Sequence, residues 1–206
     1  MKNLYINVII KILRNGDYFM EIKRIEEPVL KQLLDESTLL TGEGVAVYEK
    51  YIKDYAYAYA NSEAAKEMDV LAYRVQTFSG NGNQALNWGV THMEPVKVDG
   101  EYNLTRGHFH LDRNQPEYYL CSSGEGYLIK WDGEDEVILE KMTPGSLHWI
   151  DGKYAHRMVN TGTKTLRTIA CWPVNAGHDY KAIEEKGFPV RLYDNNGEVK
   201  VVPVHD

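Results

Sequence analysis

Thr105-Arg-Gly-His-Phe-His-Leu-Asp-Arg-Asn-Gln-Pro-Glu-Tyr-Tyr-Leu-Cys121 is the stretch whose reading decides the fold. On an extended strand successive side chains alternate, so His108 and His110 leave the same face. Leu111 to Pro116 is polar and closed by proline, which suits a chain reversal. Glu117 then opens a second strand, with Tyr119 and Cys121 on its own face. Two imidazoles and a carboxylate joined across a hairpin make a site for a first-row metal. A fourth candidate, His156, begins another β-like run in Tyr154-Ala-His-Arg-Met-Val-Asn.

Working outward, the same β texture continues on both sides. Val70-Leu-Ala-Tyr-Arg-Val-Gln-Thr-Phe and Leu86-Asn-Trp-Gly-Val-Thr-His-Met-Glu-Pro read as strands. Short β runs then alternate with turn chemistry at Gly124-Glu-Gly, Asp132-Gly, Pro144-Gly, Asp151-Gly and Thr161-Gly. That spacing predicts an antiparallel sandwich or barrel over residues 70–173. Residues 174–206 form a tail in which Asn195-Asn-Gly predicts a last hairpin. Residues 26–60 read as helical or irregular, with Pro28 near a helix start. The aromatic run Tyr48, Tyr51, Tyr55, Tyr57 and Tyr59 reads as core or interface packing.

A chain of 206 residues suits one domain with its own core plus an extension. A net charge of −7 with no basic stripe argues against a nucleic-acid partner. No stretch is long and apolar enough to span a membrane. The apolar start from Leu4 to Leu13 contains Asn7 and Lys11 and lacks a small-residue cleavage site, so a signal peptide is not expected. Residues 1–19 are either an upstream translation start before Met20 or a short added strand. Cys121 and Cys171 read as buried small apolar residues in a reducing cytoplasm. His92, His148 and His205 read as structural or exposed.

In a small barrel alternate residues point inward, where unpaired polar groups cost several kcal/mol. A divalent cation resolves that conflict for His108, His110, Glu117 and His156. Three histidines and one carboxylate leave open positions on an ion that prefers six ligands, which suits Fe²⁺, Mn²⁺ or Ni²⁺ better than Zn²⁺.

The pattern resembles the cupin superfamily: His108-Phe-His110, Glu117 and Gly124, followed by Gly145, His156 and Asn160. Asp151 and Lys153 stand where cupins usually carry Pro and Gly, and the His110–Glu117 gap is long. That gap, together with Thr105-Arg-Gly-His-Phe-His, Glu117-Tyr-Tyr, Pro144-Gly, Ala155-His-Arg-Met-Val-Asn-Thr-Gly and Ala176-Gly-His-Asp-Tyr, is similar to the cupin-type glucose-6-phosphate isomerases of archaea and some bacteria. The similarity covers about residues 86 to 200.

The resemblance implies an all-β chain: a single cupin jelly-roll barrel, residues 70–206, behind a helical or extended extension, residues 1–69. It implies an aldose–ketose isomerase with one divalent metal per chain, Fe²⁺ foremost, held by His108, His110, Glu117 and His156. Thr91, Thr105, Gly107 and Tyr119 would hold the substrate phosphate, with Arg106 adding charge. Glu117 would be the base, and His178 and Tyr180 would line the sugar end. Trp172 and Lys153 border the proposed pocket as departures from the family. Proton transfer through a cis-enediol and a hydride shift both remain open. A homodimer is expected, on the family's habit and the tyrosine run. Alternatives are an isomerase of another anionic sugar such as a sulfosugar, an Fe²⁺ cupin oxygenase, and a metal-supported sugar sensor.

Overall fold

Strand alternation and turn chemistry set the architecture, and a computed structural model describes it for residues 11–14, 18–21, 30–34, 37–82 and 85–204. In chain order, β1 (Lys11–Arg14) pairs with β2 (Tyr18–Glu21), and β3 (Leu30–Gln32) pairs with β4 (Leu40–Gly42). β5 (Ala46–Tyr51), a 3₁₀ segment (Ile52–Ala58) and α1 (Ser62–Lys66) follow. Then come β6 (Leu71–Phe78), β7 (Leu86–Met93), β8 (Lys97–Val98) and β9 (Glu101–Tyr102). The second half holds β10 (Glu117–Ser123), β11 (Gly126–Trp131), β12 (Val137–Met142), β13 (Leu147–Ile150), β14 (Ala155–Asn160) and β15 (Leu166–Pro173). α2 (Lys181–Lys186), β16 (Val190–Asn195) and β17 (Glu198–Pro203) complete it.

The six-stranded sheet has the order β13-β10-β15-β7-β6-β5 and faces a three-stranded one, β12-β11-β14, while β17-β16-β9-β8 form a further sheet. The inner faces of the first two share one core: Tyr73, Met93, Cys121 and Ile150 from the first meet Leu128, Met142 and Met158 from the second. This is the expected all-β jelly roll, with the sheets open at the edges rather than closed. The hairpin at Asn195-Asn-Gly joins β16 to β17, with Asn196 at φ +56° and Gly197 at +89°.

The extension is more extended than helical. Residues 30–32 form a strand where a helix was read, and the proposed start at Pro28 lies outside the described residues. Ala46–Tyr51 is a strand hydrogen-bonded to β6. Local helical spacing there loses to the ladder that an adjacent sheet edge offers. In the 1–19 stretch, the described residues of β1 pair with β2.

The tyrosine run is also divided by packing. Tyr55 and Tyr59 are core residues: Tyr55 donates to the Leu104 carbonyl at 2.9 Å and Tyr59 to Asn103 Oδ1 at 3.0 Å. Tyr48 and Tyr57 of the same run stay exposed, at 46% and 43%, so the run is divided between core and surface. Among the described residues no helix is long and apolar enough to cross a membrane. Both cysteines are free; Cys121 is buried and Cys171 only partly so.

Candidate metal centre and active site

The paired histidines reach their place without a full strand. His108 and Phe109 make isolated bridges to His156 and Asp179, and the 103–108 segment follows β14 through separate bonds at Asn103, Thr105 and His108 rather than a continuous ladder. His108 N–H donates to the His156 carbonyl at 3.2 Å and His156 N–H returns a bond at 3.0 Å. Glu117 enters from the first residue of β10 and His156 from the second of β14. The ligand atoms of His108, His110, Glu117 and His156 lie within 4.8 Å of one another.

His110 Nδ1 sits 2.7 Å from the Gln115 carbonyl. A carbonyl only accepts, so Nδ1 carries the proton and Nε2 is turned to the cluster. There Nε2 is 3.3 Å from Glu117 Oε2. His156 Nε2 is 3.1 Å from the same oxygen, at an angle that makes no hydrogen bond. His108 Nε2 is likewise buried without a partner. Two orphaned imidazole nitrogens around one buried carboxylate match what a cation needs, so these residues fit a divalent metal.

The electrostatics agree. Burial raises the pKa of Glu117, but the His110 hydrogen bond and the nearby His156 and His110 rings outweigh it, so the group is held below the usual carboxylate range. The cavity leaves His108 partly accessible, yet the protein packed around it, and then His156, His178 and His110, push its pKa well down. An ionised Glu117 and a neutral His108 are the ligating forms. For His110 burial again opposes charge, and the Glu117 bond prevails to raise its pKa.

His108, Glu117 and His156 of the cluster form one wall of a cavity of about 270 Å³. Thr91, Thr105, Arg106, Gly107, Tyr119, Trp172, His178 and Tyr180 all line it. The ring of His178 is 4.3 Å from that of His108 and stacks on Tyr180 at 5.6 Å. Enclosure at the rim lowers the pKa of His178, and the Glu117 charge opposes the shift only in part. Trp172 stands 6.4 Å from His178, and a Cβ added at Gly89 would meet the Trp172 ring at 3.0 Å.

Two residues behave otherwise than read. Lys153 does not line the cavity: its ammonium is largely exposed, 3.9 Å from Asp151 and over the Tyr154 ring. Arg106 borders the cavity, but its guanidinium is already engaged: it bonds Glu184 and Tyr57 and stacks on Tyr180 at 4.1 Å.

A family model described as Glucose-6-phosphate isomerase (GPI) matches residues 48–206. The chain belongs to the glucose-6-phosphate isomerase family. It is 34% identical over 165 residues to a glucose-6-phosphate isomerase of Pyrococcus horikoshii, covering 78% of this chain and 87% of that one. It is 37% identical over 144 residues to that of Thermococcus kodakarensis, covering 69% and 76%. A bacterial relative, the glucose-6-phosphate isomerase of Sinorhizobium medicae, is 31% identical over 179 residues, covering 84% and 83%.

This family member has cavity residues that the motifs do not name: Tyr48, Tyr73, Asn87 and Gly89. Period-2 counting back from Thr91 along β7 reaches Gly89 and Asn87, so two of them carried a signal. Tyr73 and Tyr48 carried none, because which face β5 and β6 turn inward is set by pairing with β7. Of the remaining histidines, His148 is buried between Ser146 and Glu140 and His92 faces Gln76 at 3.2 Å. His205 lies outside the described residues.

Proposed function

We propose that the chain is a metal-dependent aldose–ketose isomerase interconverting glucose 6-phosphate and fructose 6-phosphate. The observation that carries the reading is one cavity lined both by His108, Glu117 and His156 and by the donors Thr91, Thr105, Gly107 and Tyr119. An oxygenase needs the first group but has no use for the second.

Thr91, Thr105 and Tyr119 offer hydroxyls and Gly107 a backbone N–H to a phosphoryl oxygen. Thr105 Oγ1 already accepts the Met158 N–H at 3.1 Å, which orients its proton outward toward an acceptor. Glu117 takes the proton from the carbon next to the carbonyl and returns it to the neighbouring carbon through a cis-enediol. His178 and Tyr180 flank the sugar end, where His178 shuttles the hydroxyl proton during ring opening. A divalent cation held by His108, His110, Glu117 and His156, Fe²⁺ foremost, would offset negative charge developing on the sugar oxygens. Residues 70–206 carry most of this chemistry, and β5 pairs with β6 and brings Tyr48 to the cavity.

We also propose a homodimer, on a different surface from the tyrosine run. The outer face of the large sheet carries a row Trp149, Tyr118, Cys171, Trp88 and Phe78, and beside it Leu147, Leu120, Ile169 and Val90. Leu40 covers the Val90 and Ile169 end. Trp149, Tyr118 and Leu147 stay exposed, at 53%, 49% and 65%. An uncovered aromatic patch of this kind marks an interface. The free thiols of Cys121 and Cys171 fit a reducing cytoplasm.

The test is turnover of fructose 6-phosphate by metal-replete protein, compared with a sulfonated ketose of the same length. Conversion to glucose 6-phosphate supports the reading. Preference for the sulfonated sugar moves the substrate but keeps the reaction; oxygen uptake without isomerisation overturns it.

A further inference from the structure

We propose that Arg157 is the positioning residue for the anionic end of the substrate, acting through the Arg106–Gly107 peptide. This rests on the isomerase reading and deepens it, since neither the motifs nor the fold assign Arg157 a task. Arg157 follows the ligand His156 on β14, and its side chain points away from the metal cluster into the protein, 4% exposed.

Its Nη2 donates to the Arg106 carbonyl at 2.6 Å. The guanidinium lies 4.0 Å over the Phe188 ring, a cation–π contact that fixes its plane. The peptide it holds is the one whose nitrogen belongs to Gly107. Thr105 N–H and His108 N–H are used by the Met158 and His156 carbonyls. Gly107 N–H, like Arg106 N–H before it, donates to no acceptor among the described residues, so it is free to meet a ligand. Gly107 has φ +73°, and a Cβ there would come within 2.6 Å of Phe188 and 3.1 Å of Arg157 Cβ. The loop is therefore pressed directly on the Arg157–Phe188 stack, and only glycine permits it.

Charge gives the second line of argument. Arg106 is paired with Glu184, so it brings little free charge to the cavity. Among the described residues Arg157 has no carboxylate within ion-pair distance, and its Nε has no partner. Its charged neighbours are Arg191 and Glu101, and these two are bonded to each other at 2.8 Å. The Arg191–Glu101 pair is neutral as a unit, which leaves the buried Arg157 charge without a described carboxylate of its own behind the Gly107 loop. A buried, uncompensated cation is costly on its own. A phosphate at the Gly107 N–H supplies the missing negative charge, in a region where water screens it poorly. Arg157 thus aims the donor and provides the field behind it.

The test uses full-length, metal-loaded protein with Arg157→Met and Arg157→Lys, and reads binding of inorganic phosphate by calorimetry beside kcat, KM and metal content. Arg157→Met is expected to weaken phosphate binding and raise KM for fructose 6-phosphate by about 10–100-fold, with metal content kept and kcat within a few-fold. Arg157→Lys keeps the charge but not the planar fork, and is expected to restore part of the affinity. If Arg157→Met does not fold, Arg157→Lys and Phe188→Leu carry the test, because each disturbs the stack while keeping the cation. Unchanged phosphate affinity in a folded Arg157→Met, or in both of the milder variants, overturns the inference. Wild-type protein that binds phosphate yet turns over no sugar phosphate sinks the isomerase reading and leaves this one standing. Normal turnover with an unmoved KM in the variants does the reverse.

Discussion

His156 Nε2 stands 3.1 Å from Glu117 Oε2 and makes no hydrogen bond to it. Both groups are almost wholly buried, so an unmade bond there costs about 1–3 kcal/mol. A cation between them converts that cost into two ligand bonds. Protein purified without chelator is expected to carry about one metal ion per chain. Removing it should lower the melting temperature, since a ligand at about 100 times its Kd adds roughly 2.7 kcal/mol. His156→Ala should lose metal first and activity in proportion. Elemental analysis and activity on the same preparations check this; full activity without metal refutes the site.

Glu117→Gln separates ligation from basicity. The amide keeps the size and one ligating oxygen but loses charge and proton affinity. If Glu117 moves the proton, kcat falls about 10²–10⁴-fold while much of the metal stays. A variant that keeps both metal and kcat excludes proton abstraction by Glu117, and the hydride shift becomes the working mechanism.

Thr105→Val tests the phosphate end. It removes a donor to the substrate and also the acceptor for the Met158 N–H. The second loss should cost stability by about 0.5–1.5 kcal/mol. The first should raise KM for a phosphorylated sugar with metal content unchanged. Steady-state kinetics with parallel metal analysis distinguishes this from a general loss of fold: a KM that stays put means the hydroxyl serves β14 alone.

How much of this was legible in the sequence follows from what fixes each residue. The ligand set was readable because four metal-binding side chains have no reason to face a barrel interior unless something holds them. The strands from Leu71 onward were readable from alternation and turn residues. Tyr55 and Tyr59 were not, because spacing does not tell a tyrosine that meets Asn103 from one that meets a partner. Arg106 carried a cationic charge toward the site in the linear motif. Its partner Glu184 sits on α2, far along the chain, and only the fold brings them together. Lys153 was placed by alignment with the family, and the turn Asp151-Gly-Lys carries it out to solvent. β3 to β5 were missed because edge pairing, not local propensity, makes them strands.

The exposed pair Tyr118 and Trp149 are cross-strand partners and give the dimer its test. Trp149→Lys places a charge in the exposed patch, at a residue that does not line the cavity. Light scattering at micromolar concentration is expected to show a dimer for wild type and a monomer for the variant, with metal content kept. A wild-type monomer removes the dimer; a variant that stays dimeric moves the interface elsewhere on the surface.

His92 supplies a pH dependence away from the metal. Burial, and then the positive charges of Arg167 and Arg74, lower its pKa from the ordinary 6.5 to about 4. Neutral His92 faces Gln76, whose amide in turn bonds both backbone groups of Leu40 at 3.3 Å. The histidine thereby helps hold β4 over the outer sheet. Between about pH 4 and 6.5 the unfolded chain binds a proton that the folded chain refuses. This contribution to stability is therefore complete above about pH 6.5, is lost as pH falls, and is gone by about pH 4. His92→Gln keeps a donor for Gln76 but cannot titrate. Its melting temperature should fall less than that of wild type from pH 7 to pH 4.5, with the two curves parallel above pH 7. Melting curves over that range decide the matter, and parallel curves throughout would show that His92 is freely protonated in the folded protein.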